Sequence, residues 1–257
     1  MLIVDKITMK FMGLTALNEV SFTVKQGHIH ALIGPNGAGK TSLFNIISGV
    51  QRPTSGTIHM DGVGDLSAIP LRDRAGIGMM RTFQNIRLFS SMSVLENVML
   101  GATALASTSV FSAALGWGRG RDEEKSVVAE ALSLLDRVGL ADHAHTQAAS
   151  LPYGAQRRLE IARALAARPR LLLLDEPVAG MNDVERDTLT TLIRDINDQG
   201  VTILIVEHDM PFIKCLSDRV TVLNFGRLVT SGIPDEVTSD PAVIAAYLGT
   251  EVEDAHA

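Results

Sequence analysis

The sequence predicts an α/β fold in which a parallel-sheet core with a phosphate-binding loop carries an antiparallel β subdomain and an inserted α-helical subdomain. Three observations carry this prediction. Gly34-Pro35-Asn36-Gly37-Ala38-Gly39-Lys40-Thr41 follows an apolar run and leads into a helical apolar series, Leu43, Phe44, Ile46 and Ile47. Residues 171–174 are all leucine and run straight into Asp175-Glu176-Pro177, as a strand buried on both faces of a parallel sheet does. Residues 2–11 and 20–24 alternate apolar with polar side chains, the pattern of antiparallel strands.

The remaining elements follow in order. Met12-Gly13-Leu14 is the turn between the first two strands, and residues 28–33 form the strand that feeds the phosphate loop. After the first helix, Arg52-Pro53-Thr54-Ser55-Gly56 is a turn cluster and residues 57–62 a strand ending in a tight turn. Residues 75–83 read as a short buried strand that stops at Gln84. Ser93 opens a helix, with Glu96 completing a capping box. Residues 122–138 are amphipathic, with Ala129, Leu132, Leu135 and Val138 assigned to one face. A helix is expected over 157–167, another over 184–197, and a central strand over 201–206 that stops at Glu207-His208-Asp209. Strands at 219–224 and 227–230 precede a polar turn and a short helix near 243–248. No internal repeat or low-complexity linker interrupts the chain.

Composition narrows the function classes. With 257 residues, 46% of them hydrophobic, the chain can bury one large core or two small ones. A formal net charge of -6 argues against a general nucleic-acid binder. The single cysteine, Cys215, excludes an internal disulfide and reads as a small buried apolar residue. Residues 1–5 lack the basic and apolar regions of a signal peptide, which makes a cytoplasmic location the default. Residues 97–118 carry no charge, but Ser, Thr, Gly and Ala dominate them. They read as a helix from about Val94 followed by a small-residue loop at a subdomain tip near a membrane partner, not as a membrane span.

In the phosphate loop, glycine lets backbone N–H groups close around phosphate oxygens with no Cβ in the way. Lys40 reaches the β- and γ-phosphates, the Thr41 hydroxyl is placed for Mg²⁺, and the helix that starts here turns its positive end to the anion.

Taken in order, these motifs resemble the ATP-binding-cassette (ABC) transporter ATPases over essentially the whole chain. The resemblance implies a RecA-like P-loop NTPase core plus antiparallel β subdomain at about 1–90 and 160–250, a helical subdomain at about 91–159, and a flexible tail at 251–257. It implies ATP and Mg²⁺ as ligands, with Asp175 holding the metal through water and Glu176 as the general base. Gln84 resembles the loop glutamine that reaches Mg²⁺ and the attacking water, and His208 the switch histidine on the γ-phosphate. Ser42 would bond the α-phosphate. Phe11 resembles the aromatic that stacks on adenine, although a buried core Phe fits the same pattern.

Leu151-Pro152-Tyr153-Gly154-Ala155-Gln156 occupies the place of the family signature, which binds the ATP of the other subunit. Pro152 replaces the usual serine and offers neither hydroxyl nor N–H, so Gly154 and Gln156 are the stronger candidates there, beside Tyr153 and Ala155. Asn182 stands where relatives carry an Asp in a loop that crosses the dimer, keeping hydrogen-bonding capacity without the charge. His28, His30, His59, His143 and His145 have no such context and read as structural or exposed.

The Asn182 variant, with Arg81-Thr82-Phe83-Gln84-Asn85-Ile86, Arg157-Arg158-Leu159-Glu160 and Ala246-Tyr247-Leu248-Gly249, is similar to the ATPase subunits of bacterial branched-chain amino-acid importers. That similarity implies a homodimer, or a heterodimer with a homologous ATPase, at the cytoplasmic face of the inner membrane. Two integral-membrane permease subunits and, indirectly, an extracytoplasmic solute-binding protein are the implied partners, and nucleic acid is not. Importers of urea, short amides or aromatic acids share much of the pattern. A non-transport cassette ATPase and a nucleotide sensor without turnover are the other classes open at this point.

Overall fold

The structure is a computed structural model and describes residues 1–103 and 121–254. β1 (Leu2–Phe11) and β2 (Leu14–Val24) form a hairpin in which Phe11 pairs with Leu14. Its two-residue turn has Met12 at φ 42° and Gly13 at φ 96°, left-handed at both positions as the twist of a tight hairpin demands. β3 (Ile29–Ile33) and α1 (Lys40–Ile47) flank the phosphate loop. β4 (Ser55–Met60) and β5 (Gly64–Asp65) return to the first sheet, giving the antiparallel order β2-β1-β4-β5.

A short helix, α2 (Leu71–Arg74), leads to β6 (Met79–Arg81). α3 (Val94–Thr103), α4 (Arg121–Arg137) and α5 (Tyr153–Leu165) make the inserted helical segment. β7 (Leu171–Asp175), α6 (Asp183–Asp198), β8 (Thr202–Val206), α7 (Met210–Leu216) and β9 (Arg219–Asn224) then rebuild the main sheet. β10 (Arg227–Gly232), α8 (Pro234–Ser239) and α9 (Pro241–Asp254) follow. Among the described residues the second sheet has the order β10-β9-β3-β8-β7-β6, parallel except for β10.

β3 is flanked by two strands that come far later in the chain, so its loop opens at a topological switch point, where open α/β sheets bind ligands. The apolar runs reflect burial on both faces. Ile203 and Ile205 of β8 join one core with the helical segment, while Leu204 and Val206 join a second core with α1 and the antiparallel sheet. The leucines of β7 divide in the same way, Leu172 and Leu174 against Leu171 and Leu173. Each such side chain contributes about 1.5–3 kcal/mol on burial, and this fixes the loops at the strand ends. No helix among the described residues is long and apolar enough to cross a membrane.

Several sequence expectations need correction. Residues 75–83 are not one strand: a 3-10 turn, Ala75–Ile77, ends at Gly78, whose φ of 78° breaks the extended run before β6. On α4 and just past its end, Ala131, Leu135 and Val138 are buried, whereas Ala129 is exposed and Leu132 is 38% exposed. Positions three apart drift by about 60° around a helix, so a run of four spreads over half its circumference. The 131, 135, 138 spacing of four then three keeps to one side.

α5 begins at Tyr153, not at 157, because Pro152 sits at its N-cap with extended backbone. The polar turn before the last helix contains α8, with Pro234 in its first turn. α9 runs past 248 to Asp254, into the stretch assigned to a tail. Cys215 is exposed, not buried, because Phe212, Ile213 and Leu216 take the inward face of α7. The small-residue loop expected within 97–118 lies, from residue 104 onward, outside the described residues.

Candidate functional site

The phosphate loop leaves β3 at Gly34, which has φ 148° and no room for a side chain: a Cβ there would sit 2.1 Å from the Leu223 carbonyl oxygen. Gly39, at φ 99°, would place a Cβ 2.8 Å from the Ala16 carbonyl oxygen, and Gly37 has φ 76°. These three positions require glycine for conformation, and two of them for space. Ala38 N–H donates to Pro35, which tightens the loop, while Asn36 and Gly37 are exposed. α1 starts with Gly39 as N-cap, no side-chain cap and no acid in its first turn, so its positive end faces the loop unopposed.

Lys40 is buried, and its Nζ donates to the carbonyls of Gly34 at 2.6 Å and Pro35 at 2.8 Å. Burial lowers its pKa and the Glu176 carboxylate opposes that shift. Thr41 is exposed and Ser42 half-buried beside it. From the last helix, Tyr247 reaches the same loop. Burial raises its pKa to about 12, against the opposing effect of the Gly34 backbone N–H.

At the ends of β7 and β8 the predicted catalytic residues converge. Gln84 Nε2 donates to Glu176 Oε2 at 2.8 Å, and His208 Nδ1 lies 3.9 Å from Glu176 Oε1. Glu176 holds a left-handed backbone, φ 44°, that is costly for a residue with a side chain. Its N–H donates to the Val206 carbonyl, which keeps the turn in place. Behind it, buried Glu207 accepts the N–H groups of Val178, His208 and Asp209, and burial raises its pKa. Asp175 is buried, with Oδ2 2.7 Å from Arg81 Nη2.

Phe11 is 40% exposed at the end of β1, which removes the buried-core alternative. Tyr153 is 44% exposed at the start of α5. Gly154 packs so closely on α6 that a Cβ would meet Glu185 Oε1 at 2.6 Å. Ala155 is buried, and the Gln156 side chain turns back on its own segment, donating to the Leu151 carbonyl at 2.9 Å. Asn182 caps α6: its Oδ1 accepts Glu185 N–H at 3.0 Å and its own N–H donates to Glu185 Oε2 at 3.2 Å. One Glu185 side chain therefore touches both Gly154 and the Asn182 cap.

Sequence reasoning assigned no site role to Arg81, Arg157, Glu160 or Glu207. For Arg81 and Glu207 the available signal is charge at the end of an apolar run; Arg157 and Glu160 stand in a charge-rich helix and carry no such signal. Arg157, fully buried, donates to the carbonyls of Phe83 at 2.6 Å and Gln84 at 2.7 Å and to Glu160 at 2.9 Å. Glu160 in turn accepts the N–H groups of Phe83 and Arg87, so α5 is bolted to the loop that carries Gln84.

A parallel sheet with an uncapped glycine loop at its switch point, two carboxylates at the end of β7, one strand beyond β8, and an inserted helical segment defines a P-loop nucleotide-binding cassette. Residues 17–179 match the ABC transporter family model, and residues 227–253 match that of the branched-chain amino acid ATP-binding cassette transporter. The high-affinity branched-chain amino acid transport ATP-binding protein LivG of Salmonella typhimurium is 42% identical, with 97% of this chain and 98% of that protein covered. An ATP-binding cassette of an ABC transporter in its ADP conformation superposes with a TM-score of 0.84 at 28% identity, covering 96% of this chain and 98% of that one. A dimeric cassette in a post-hydrolysis state, bound to ADP and Pi, gives 0.76 at 26% identity, covering 91% and 99%. The chain belongs to the ABC transporter family, as an ATP-binding and hydrolysing cassette of its branched-chain amino-acid group.

Proposed function

We propose that this cassette powers a bacterial importer of branched-chain amino acids, sitting peripherally at the cytoplasmic face of the inner membrane on two permease subunits that a solute-binding protein loads from outside. A second cassette, identical or homologous, completes each ATP site. The observation that carries the catalytic reading is the junction of Gln84, Glu176 and His208 beside the phosphate loop. The solute rests on the match of residues 227–253 and on what the 42%-identical relative transports.

In this reading the loop N–H groups from Gly34 to Thr41 and the Lys40 ammonium bind the β- and γ-phosphates, Ser42 the α-phosphate, and Phe11 the adenine. Glu176 takes the proton of the attacking water, which Gln84 orients, and His208 donates to the γ-phosphate. The Thr41 hydroxyl and the Gln84 amide oxygen, with the Asp175 carboxylate acting through water, form an all-oxygen donor set suited to Mg²⁺. When bound, Mg²⁺ offsets charge on the transferring phosphoryl group. Tyr153, Gly154, Ala155 and Gln156 face the partner's ATP, with Gln156 held back by its bond to Leu151, and Asn182 lies at the dimer loop.

Glu176→Gln tests the base assignment: phosphate release should fall by about 10²- to 10⁴-fold while nucleotide binding persists. Turnover at the parent's rate would refute it. For the solute, the cassette with its permeases and binding protein in vesicles should hydrolyse ATP faster with leucine, isoleucine or valine. Stimulation by urea, an amide or an aromatic acid instead would reassign the importer.

A further inference from the structure

At the end of β6 a cation occupies a place where the strand calls for hydrocarbon. The Arg81 side chain is 7% exposed and that of its partner Asp175 is 9% exposed, with Nη2 donating to Oδ2 at 2.7 Å. Nη1 donates to Asn45 Oδ1 at 2.8 Å and to Ser48 Oγ at 2.7 Å, both on or just after α1. The guanidinium carbon lies 4.7 Å from the Phe44 ring centroid and 5.0 Å from that of Phe83. Arg81 is thus held by the phosphate helix, by two aromatic faces and by the carboxylate assigned to the metal; Nη1 and Nη2 serve protein groups, while the buried Nε has no hydrogen-bond partner among the described residues.

We infer that Arg81 is the resident counter-cation of Asp175 and makes loading of the divalent metal conditional on bound nucleotide. This rests on the reading of Asp175 as the metal carboxylate. Asp175 and Glu176 are formal anions, Lys40 and Arg81 formal cations, and the four sum to zero. The neighbouring Glu207 directs its carboxylate to three backbone N–H groups. A dication arriving alone meets no net attraction from these four groups and direct repulsion from a guanidinium already bonded to its ligand. A triphosphate adds several negative charges and reverses the balance. With Arg81 neutralised the four groups become net anionic. For a dication a few ångströms from the lost charge, at an effective dielectric of about 20, affinity should rise by well over tenfold.

The test is a titration with Mn²⁺, a stand-in for Mg²⁺ counted by the paramagnetic resonance of the free ion, in the absence of nucleotide. Arg81→Gln should bind Mn²⁺ at least about tenfold more tightly than the parent, and Asp175→Asn in that background should remove the gain. Arg81→Lys keeps the charge but loses the fork and the ring stacking, and should stay near the parent. Were the guanidinium only a packing element, Lys would behave like Gln, and the inference fails. It fails equally if Arg81→Gln binds Mn²⁺ no better than the parent. Should Arg81→Gln not fold by urea titration, Arg81→Met keeps an apolar stem between Phe44 and Phe83 and carries the same expectation. Mn²⁺ retention by the ATP-loaded parent, measured beside Asp175→Asn alone, separates the two levels. If it depends on Asp175, a failed Arg81 result sinks only this inference; if it does not, the metal assignment falls too.

Discussion

Replacing Arg157 with Met removes a guanidinium that is fully buried between α5 and the Gln84 loop. The stem volume is kept, so the cost is electrostatic. Glu160, whose side chain is 2% exposed, loses its ion-pair partner at 2.9 Å, and the carbonyls of Phe83 and Gln84 lose their donor. Breaking one half of a buried pair costs about 3–5 kcal/mol, a large share of the roughly 5–15 kcal/mol that holds a domain together. Urea titration followed by circular dichroism measures it.

Burial already raises the pKa of Glu160, and Arg157 is the largest influence pulling it back down. In the variant the folded-state value therefore rises further above the ordinary 4.5. A raised carboxyl is tolerated while protonated and destabilises once ionised, so the deficit should be smallest near and below that ordinary value and grow as pH climbs through the folded one. Adding Glu160→Leu should recover most of the loss, because the stranded charge goes with it. A deficit under about 1 kcal/mol, one that does not change with pH, or a double variant no better than the single would refute the account.

Three other perturbations follow from described geometry. Burial lowers the pKa of His30, whose Nε2 lies 2.8 Å from Thr221 Oγ1, from 6.5 to about 4. Its contribution is present above the unfolded value and is lost as pH falls toward the folded one. The parent should therefore lose up to about 3 kcal/mol more than His30→Gln between pH 7 and pH 4, and parallel stability curves would refute this. Asn182→Ala removes the cap of α6 and should cost about 1 kcal/mol in a urea titration; no change would mean the capping box contributes nothing. Gly34→Ala drives a Cβ to 2.1 Å from the main-chain oxygen of Leu223 at φ 148°, and should abolish binding of a fluorescent ATP analogue. Binding at the parent's affinity would mean that the loop relaxes freely.

The parallel core was legible because burial on both faces leaves only one kind of sequence: Leu171 to Leu174 and the run of β8 admit no alternation. The turn at Met12 and Gly13 and the capping box at Ser93 and Glu96 were legible because their chemistry is local, although β2 begins at Leu14, six residues before the alternation at 20–24. What failed was non-local or depended on phase. Gly76 and Gly78 are a local turn signal before β6, but the close approach that also demands glycine at 78, where a Cβ would press on Arg170, comes from far along the chain. The buried side of α4 follows a spacing of four then three that a run of threes does not match, and Cys215 is exposed because its position on α7, not its residue type, sets its burial. Gln84, Glu176 and His208 could be named from motifs, yet the Gln84 hydrogen bond and the His208 approach to Glu176 exist only in three dimensions. The ion pair between Arg81 and Asp175 links positions 94 residues apart, and local sequence does not reveal such a pairing.

Lys40 has four rotatable bonds, and freezing such a side chain costs up to about 2 kcal/mol. Its two bonds to the carbonyls of Gly34 and Pro35 mean that this ordering happens when the polypeptide folds, not when a ligand arrives. Tightness toward polyphosphate then owes part of its magnitude to preorganisation, and the ammonium waits with its remaining proton directed by geometry instead of by search. Arginine at this place would carry equal charge, but its planar fork does not match two carbonyls on one tight curve, and that advantage would vanish.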